Sequence, residues 1–306
     1  MRVVFMGTPD FAVPSLAAVA NRHEVTLVVT RPDAVRGRGR ELVASPVKAK
    51  AQELGLPVLE ASRMTDDVKA AIEAAAPDVM VVVAFGCILP DDLLEVASLG
   101  AVNVHASLLP RWRGAAPIQR AILAGDELTG VSIMRVAHDL DAGAWCRQAT
   151  VEVGEKGTEP LTAELAQTGA AELIAALDEL KAGTAVWHEQ DPAGVTVAAK
   201  VKKAEMRLDP ADGVRGNALR VQASGETAPA RLMVAGRGVR VLEARVAATD
   251  APQVAAGAVL VEKKRVLLGC ADGALELLSV KPDGKRQMEA RAWAAGLRGD
   301  VTWERA

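Results

Sequence analysis

Apolar residues along the first two-thirds of the chain change period at regular intervals. Short runs rich in Val and other aliphatic residues occur at 2–6 (RVVFM), 24–30 (EVTLVVT), near 57–59, at 78–84 (DVMVVVA) and at 101–105 (AVNVH). Between them, apolar positions recur at helical spacing over 11–21, 45–54, 66–75 and 91–98. A short β-branched run bounded by turn formers reads as a buried strand, and a recurrence near 3.6 residues reads as a helix with one apolar face. The alternation predicts a βαβα chain and hence a mostly parallel, doubly wound sheet with right-handed crossovers. Gly7-Thr8-Pro9-Asp10 ends the first strand, and Asp10 is a candidate N-cap for a helix starting at Phe11, with Pro14 in its first turn.

The pattern continues with a helix over 117–124, strands at 129–136 and 145–153, and a long Ala- and Leu-rich helix over 159–182. From 184 to 205 it weakens around Gly183, Pro192, Gly194 and the cluster Lys200, Lys202 and Lys203, which reads as a linker. Beyond it, a helix at 210–222 precedes alternating segments at 229–234, 238–247, 256–262, 265–269 and 274–280, spacings that fit a small β-barrel. The expected organisation is therefore an α/β domain over 1–183, a linker over 184–205 and a barrel domain over 206–306. A length of 306 residues suits two domains.

Composition changes this picture little. Half the residues are apolar and a quarter charged, as in globular chains. With three Phe, five Trp and no Tyr, aliphatic packing must carry the core. No apolar run is long enough to span a membrane, and Gly7 and Pro9 cut short the apolar start, so no signal peptide is expected and a cytoplasmic, soluble protein is. Cys87, Cys146 and Cys270 are odd in number and far apart, which predicts neither a disulfide framework nor a metal site. Charge is uneven: residues 1–198 hold 17 Lys and Arg against 26 Asp and Glu, whereas residues 199–306 hold 19 against 13. Only the second part favours a polyanion, unless the imbalance is accidental.

Parallel sheets place ligands beyond the carboxyl ends of their strands. The strand 101–105 ends in Asn103-Val104-His105, and strand alternation puts Asn103 and His105 on one face. Both side chains can donate a hydrogen bond to an oxygen that gains negative charge, and the imidazole can also move a proton near neutral pH. No serine or cysteine nucleophile stands out, but acyl transfer to an amine needs none, because the amine attacks. A carboxylate is needed to orient the ring, and Asp141, in HDLDAG between two predicted strands, is the candidate. Each residue also admits a structural role: a strand-end His is often only hydrogen-bonded, and an Asp before Ala-Gly often only forms a turn. On the residues alone, a ligand site at the end of strand 101–105 follows, and the reaction stays open.

The stretch from Asn103 to Arg120, NVHASLLPRWRGAAPIQR, closely resembles the signature of methionyl-tRNA formyltransferases. So do Met6 to Ala12 (MGTPDFA), Arg31-Pro32-Asp33 with Gly37-Arg38-Gly39, Ser45-Pro46-Val47-Lys48, Val83 to Pro90 (VAFGCILP), Leu140-Asp141-Ala142-Gly143, and Gly284-Lys285-Arg286 with Met288. The resemblance runs over nearly the whole chain. It implies a Rossmann-like, folate-dependent formyltransferase domain followed by an OB-like, tRNA-binding barrel. It also implies catalytic roles for Asn103, His105 and Asp141, and a tetrahydrofolate-binding segment at Ser107, Leu108, Leu109 and Pro110. The implied donor is 10-formyltetrahydrofolate and the implied acceptor the α-amino group of methionyl initiator tRNA, with no metal, no membrane and a monomeric enzyme. Arg36, Arg38 and Arg40, on a glycine-containing loop, are the expected tRNA contacts; the plainer alternative for them is a solvated surface loop. The chain departs from the pattern at Asp139, Ala144, Cys87 and Val221 to Glu226. Rival readings are a related formyltransferase acting on glycinamide ribonucleotide, a nucleotide sugar or water, a nucleotide-dependent dehydrogenase, and a binding module with a dead site. No Gly-x-Gly-x-x-Gly follows strand 2–6 to support the dehydrogenase.

Overall fold

The structure is a computed structural model that describes residues 1–35, 42–263, 265–299 and 301–306. Arg36, Arg38 and Arg40 lie outside the described residues. Two compact units are present. Met1–Pro117, Leu128–Glu152 and Thr162–Ala198 form the first; Ile118–Glu127, Val153–Leu161 and Ala199–Ala306 form the second.

In chain order the first elements are β1 (Arg2–Gly7), α1 (Val13–Arg22), β2 (Glu24–Thr30), the two-residue strands β3 (Ala34–Val35) and β4 (Leu42–Val43), α2 (Pro46–Glu53), β5 (Val58–Glu60), α3 (Asp66–Ala74) and β6 (Val79–Val83). Then come α4 (Asp91–Leu94), β7 (Ala101–His105), α5 (Pro117–Ala124), β8 (Leu128–Arg135), β9 (Trp145–Glu152) and α6 (Thr158–Ala182). Seven strands of the described residues join in the order β5-β2-β1-β6-β7-β8-β9. The pairings from β5 to β7 are parallel, and β8 and β9 continue the sheet antiparallel. Strand order runs outward in both directions from β1 and β6, so their carboxyl ends mark the switch point of the sheet, where such folds bind ligands.

Strand alternation sorts the core into two layers. Val3 and Phe5 of β1 pack with Val81, Val102 and Val104 beneath α1, α2 and α6, through Leu16, Val47, Leu173 and Leu177. Val4 and Met6 face the opposite way, against Val68 and Ile72 of α3 and Leu93 of α4. This is the mostly parallel, doubly wound sheet that the pattern predicts. Two local expectations fail. Asp10 lies in a short 3-10 turn, Asp10–Ala12, and does not cap α1, whose N-cap is Ala12; Pro14 falls within the first two helical positions. α4 stops at Leu94 rather than continuing to 98.

In the second unit, α7 (Val214–Gln222) precedes β10 (Arg231–Val234), β11 (Arg237–Val246), β12 (Ala258–Val261), β13 (Val266–Cys270), β14 (Gly273–Pro282), β15 (Met288–Glu289), α8 (Ala290–Ala294) and β16 (Val301–Arg305). The strands run β11-β10-β16-β12-β13-β14, and β11 pairs again with β14, closing a six-stranded antiparallel barrel with β15 appended to β14. β16, which the alternation pattern does not show, is needed for closure. Its Trp303 is buried in the barrel core, where the indole N–H donates to the Gly269 carbonyl at 3.0 Å. No helix of the described residues is long and apolar enough to cross a membrane.

Candidate active site

β7 lies between β6 and β8, with Val102 and Val104 packed into one core layer and Asn103 and His105 on the other face. Asn103 is half-buried and His105 buried. Among the described residues the Asn103 amide makes no side-chain hydrogen bond, so it is available to a ligand.

The chain turns sharply after β7. The Leu109–Pro110 peptide is cis, and Trp112 and Gly114 adopt φ values of +65° and +120°. Glycine suits the second position, where an added Cβ would lie 3.0 Å from the Ala198 carbonyl oxygen. A large residue in the left-handed region, as at Trp112, is uncommon and must be held there by its surroundings. Two contacts do so. The Trp112 N–H donates to the Thr196 hydroxyl at 2.8 Å, and the Trp112 carbonyl lies 2.9 Å from His105 Nε2. A carbonyl can only accept, so Nε2 carries hydrogen and Nδ1 is the ring nitrogen left to exchange a proton.

Asp141 approaches Nδ1. Its Oδ2 is 3.7 Å from that nitrogen, longer than a hydrogen bond, and accepts the Gly114 N–H at 2.9 Å. Asp141 also has a left-handed backbone, φ +50°, in the loop between β8 and β9. His105 and Asp141 side chains retain 6% and 15% of their exposure, so the pair interacts in a poorly hydrated setting where Coulomb attraction is strong. The structure thus brings together the strand-end imidazole and the carboxylate 36 residues downstream.

The segment Ser107–Pro110 is rigid and mostly satisfied internally. Ser107 and Leu109 are buried, and Leu108 and Pro110 half-buried. The Ser132 hydroxyl donates to the Ser107 carbonyl at 2.7 Å and accepts the Leu109 N–H at 3.1 Å. Gln148 donates to the Leu109 carbonyl at 2.8 Å and to Ser132 at 2.9 Å. This segment therefore offers a ligand shape and apolar surface more than free backbone groups. Across the crevice end of the sheet, a cavity of about 430 Å³ is lined by Arg31, Ser62, Arg63, Met64, Gly86, Cys87, Ile88 and Pro90. A second cavity, about 530 Å³ on the barrel unit, contains none of the expected site residues.

Sequence reasoning misses the supporting polar residues Ser132, Gln148, Gln190 and Thr196. Ser132 carries a signal, a hydroxyl in the otherwise apolar run 131–134; the others are lone polar side chains with no pattern. Gln190 is buried, and its amide donates to the carbonyls of Asp141 at 2.9 Å and Gly143 at 2.7 Å, while its oxygen accepts Arg113 Nε–H at 2.8 Å. Among the described residues no group of three or more His, Cys, Asp or Glu side chains could hold a metal, and the three cysteines are free.

The chain matches the formyl transferase family over residues 1–177 and the formyl transferase C-terminal domain over residues 200–298. It is 44% identical over 294 residues to the methionyl-tRNA formyltransferase of Methylococcus capsulatus, covering 95% of both chains. It is 44% identical over 305 residues to that of Salinispora arenicola, covering 98% of both. Among solved structures it is similar to HypX from Aquifex aeolicus in complex with tetrahydrofolic acid, with TM-score 0.65 and 17% identity over 97% of this chain. The chain spans about half the length of HypX, 47%. It is also similar to WlaRD, a sugar 3N-formyl transferase, with TM-score 0.66 and 10% identity over 94% of this chain and 99% of that one. At such identities the structures speak for the fold alone.

Proposed function

Because the chain belongs to the methionyl-tRNA formyltransferase family, we propose that it transfers the formyl group of 10-formyltetrahydrofolate to the α-amino group of methionine on initiator tRNA. The observation that supports this reading is the grip on His105. Its ring is held between the Trp112 carbonyl and the Asp141 carboxylate, at a parallel-strand end and on the same face as the unengaged Asn103 amide.

In this mechanism the amine lone pair attacks the formyl carbon and forms a C–N bond, and the carbonyl pair moves onto oxygen. Asn103 donates to that oxyanion, and His105 joins it through Nδ1–H once Nδ1 has taken up the proton. The attacking nitrogen then loses a proton, the bond from carbon to the folate nitrogen breaks, and the proton reaches the departing nitrogen. His105 Nδ1 is placed to relay it, because Nε2 is committed to Trp112. Asp141, too far for a tight hydrogen bond, stabilises positive charge on the ring as it takes up the proton. No step requires a metal. If chelation abolished activity and a divalent ion restored it, the metal-free part would fall.

The carrier would sit against Ser107–Pro110, with the half-buried surfaces of Leu108 and Pro110 beside its ring and the apolar wall at 85–89 opposite. The proposal divides the chain into a catalytic domain, 1–183, a linker, 184–205, and a tRNA-binding barrel domain, 206–306, acting as a cytoplasmic monomer. The uneven charge supports the division, since the basic part of the chain is the one that carries the barrel. Arg36, Arg38 and Arg40 would meet the acceptor end of the tRNA; changing all three to Ala should weaken formylation and flatten its salt dependence without affecting folate binding. The deciding experiment supplies 10-formyltetrahydrofolate with either methionylated initiator tRNA or glycinamide ribonucleotide. Formylation of the second and not the first would overturn the acceptor assignment.

A further inference from the structure

Gln190 spends its whole amide on the two loops that grip His105. Its nitrogen donates to the carbonyls of Asp141 and Gly143, and its oxygen accepts from Arg113. Arg113 lies between Trp112, whose carbonyl meets His105 Nε2, and Gly114, whose N–H meets Asp141 Oδ2. Each loop's contact with the ring or its carboxylate is therefore a residue or less from an atom that Gln190 holds. We infer that Gln190 is a positioning residue that ties these two loops together and so fixes both the tautomer of His105 and its separation from Asp141.

Three observations carry this. Gln190 is 8% exposed, and a buried amide is tolerated when its hydrogen-bonding groups are matched, as they are here. Asp141 is held at φ +50°, a conformation unfavourable for a residue with a Cβ, and its carbonyl is one of the two atoms Gln190 captures. The segment bearing Gln190 is itself anchored on both sides. His188 stacks on Trp145 at 4.5 Å between ring centres and exchanges backbone hydrogen bonds with it at 2.8 and 3.0 Å. Trp187 lies under the Arg135 guanidinium at 4.1 Å. Further along, Thr196 accepts from the Arg113 N–H at 2.9 Å, and the Ala198 N–H donates to the Arg113 carbonyl at 2.6 Å. The amide is thus presented by a fixed strap and is not a side chain that happens to fill a gap.

The inference rests on His105 acting in the proposed reaction, but its physical content can be read without activity. Gln190→Met keeps length and apolar contact and removes all three hydrogen bonds. Gln190→Glu keeps an acceptor for Arg113 and loses both donations when ionised. Glu189→Gln, at an exposed neighbour on the same strap, serves as the control. With four histidines in the chain, the His105 ring signals can be assigned by subtraction in ¹⁵N-histidine spectra. In the parent, and in Glu189→Gln, the ring should show the Nε2–H tautomer. In Gln190→Met it should show a mixture with Nδ1–H, with kcat lowered roughly 10–100-fold, KM for the folate carrier unchanged and melting still cooperative. In Gln190→Glu the same two readouts should move in the same direction. An unchanged ring spectrum in a folded Gln190→Met variant overturns the inference, whatever the rate. So does a loss of rate that vanishes once it is corrected for the unfolded fraction. If the parent formylates no methionyl-tRNA, the functional reading fails while the ring spectra still decide the role of Gln190.

Discussion

The interior of the parallel sheet and the two loops at its carboxyl edge are neighbours in the chain and differ in how they are held. The interior depends on many interchangeable contacts: Val3, Phe5, Val81, Val102 and Leu177 are fully buried, and none supplies a particular atom. The loops depend on single atoms. One carbonyl of Trp112 meets the ring, one N–H of Gly114 meets Asp141, and all three residues, Trp112, Gly114 and Asp141, have positive φ. Stability should therefore be concentrated in the interior and function in the loops, and substitutions can be chosen to pull the two apart.

The largest effect on folding should come from Phe5→Ala. Phe5 is fully buried in the layer beneath α1, and losing a core Phe destabilises by about 3–5 kcal/mol. Urea unfolding should show this loss, while turnover per folded molecule stays at the parent value. Next come Asn103→Ala, His105→Ala and Asp141→Ala, each expected to lower turnover by about 10²–10³ with little change in the urea midpoint. Near-parental turnover in any two of them would remove the catalytic assignment and the contrast with it. Gly143→Ala tests the boundary between the regions. A Cβ there would stand 2.1 Å from the Arg135 carbonyl oxygen, so the loop must shift, at about 1–3 kcal/mol. Because Gly143 is two residues from Asp141, turnover should fall further than the shared loss of stability explains; a parallel fall in both would mean that the loop tolerates displacement.

The smallest effect concerns pH. Burial, reinforced by the nearby α-amino group, holds the His23 imidazole below its ordinary value of 6.5, and its buried Nε2 has no partner among the described residues. The unfolded chain then binds more protons than the folded one as pH falls through 6.5. The contribution of His23 to stability is complete above that pH and is lost below it. His23→Gln should flatten the acid side of the stability profile and leave the alkaline side unmoved. Identical profiles for the two proteins would show that this site on the sheet side is indifferent to protonation.

Where the sequence is periodic, the structure follows it closely. Alternation in AVNVH is enough to put Asn103 and His105 on one face and Val104 on the other, and the unbroken apolar run RVVFM marks a strand whose residues enter both core layers. The pairing of His105 with Asp141 is not periodic at all; 36 residues separate them, and Asp141 is reached only by the ring's need for a carboxylate and its place between two strands, with the resemblance to a known signature pointing to the same residue. β16 is hard to see for a different reason: VTWER has one large apolar anchor, Trp303, and too little alternation around it, so tertiary pairing with β10 and β12 makes the strand. Gln190 and Thr196 leave no trace because their partners are mainly backbone atoms, which every residue possesses. Asp10 misled because a capping residue is read from local order, whereas here the chain enters α1 through a 3-10 turn.

The atom that fixes the His105 ring belongs to the main chain, and this has a consequence for how the site can drift over generations. No exchange of side chain at position 112 can delete a carbonyl, so a mutational scan of that residue would report on its indole and stay silent about the contact that matters to the imidazole. Selection on the contact must instead fall on whatever keeps the local backbone left-handed: on Thr196, which takes the Trp112 N–H, and on Gly114, whose φ of +120° few other residues accept. Position 112 is then free to vary in chemistry, with Gly and Asn the easiest replacements, while its neighbours are not.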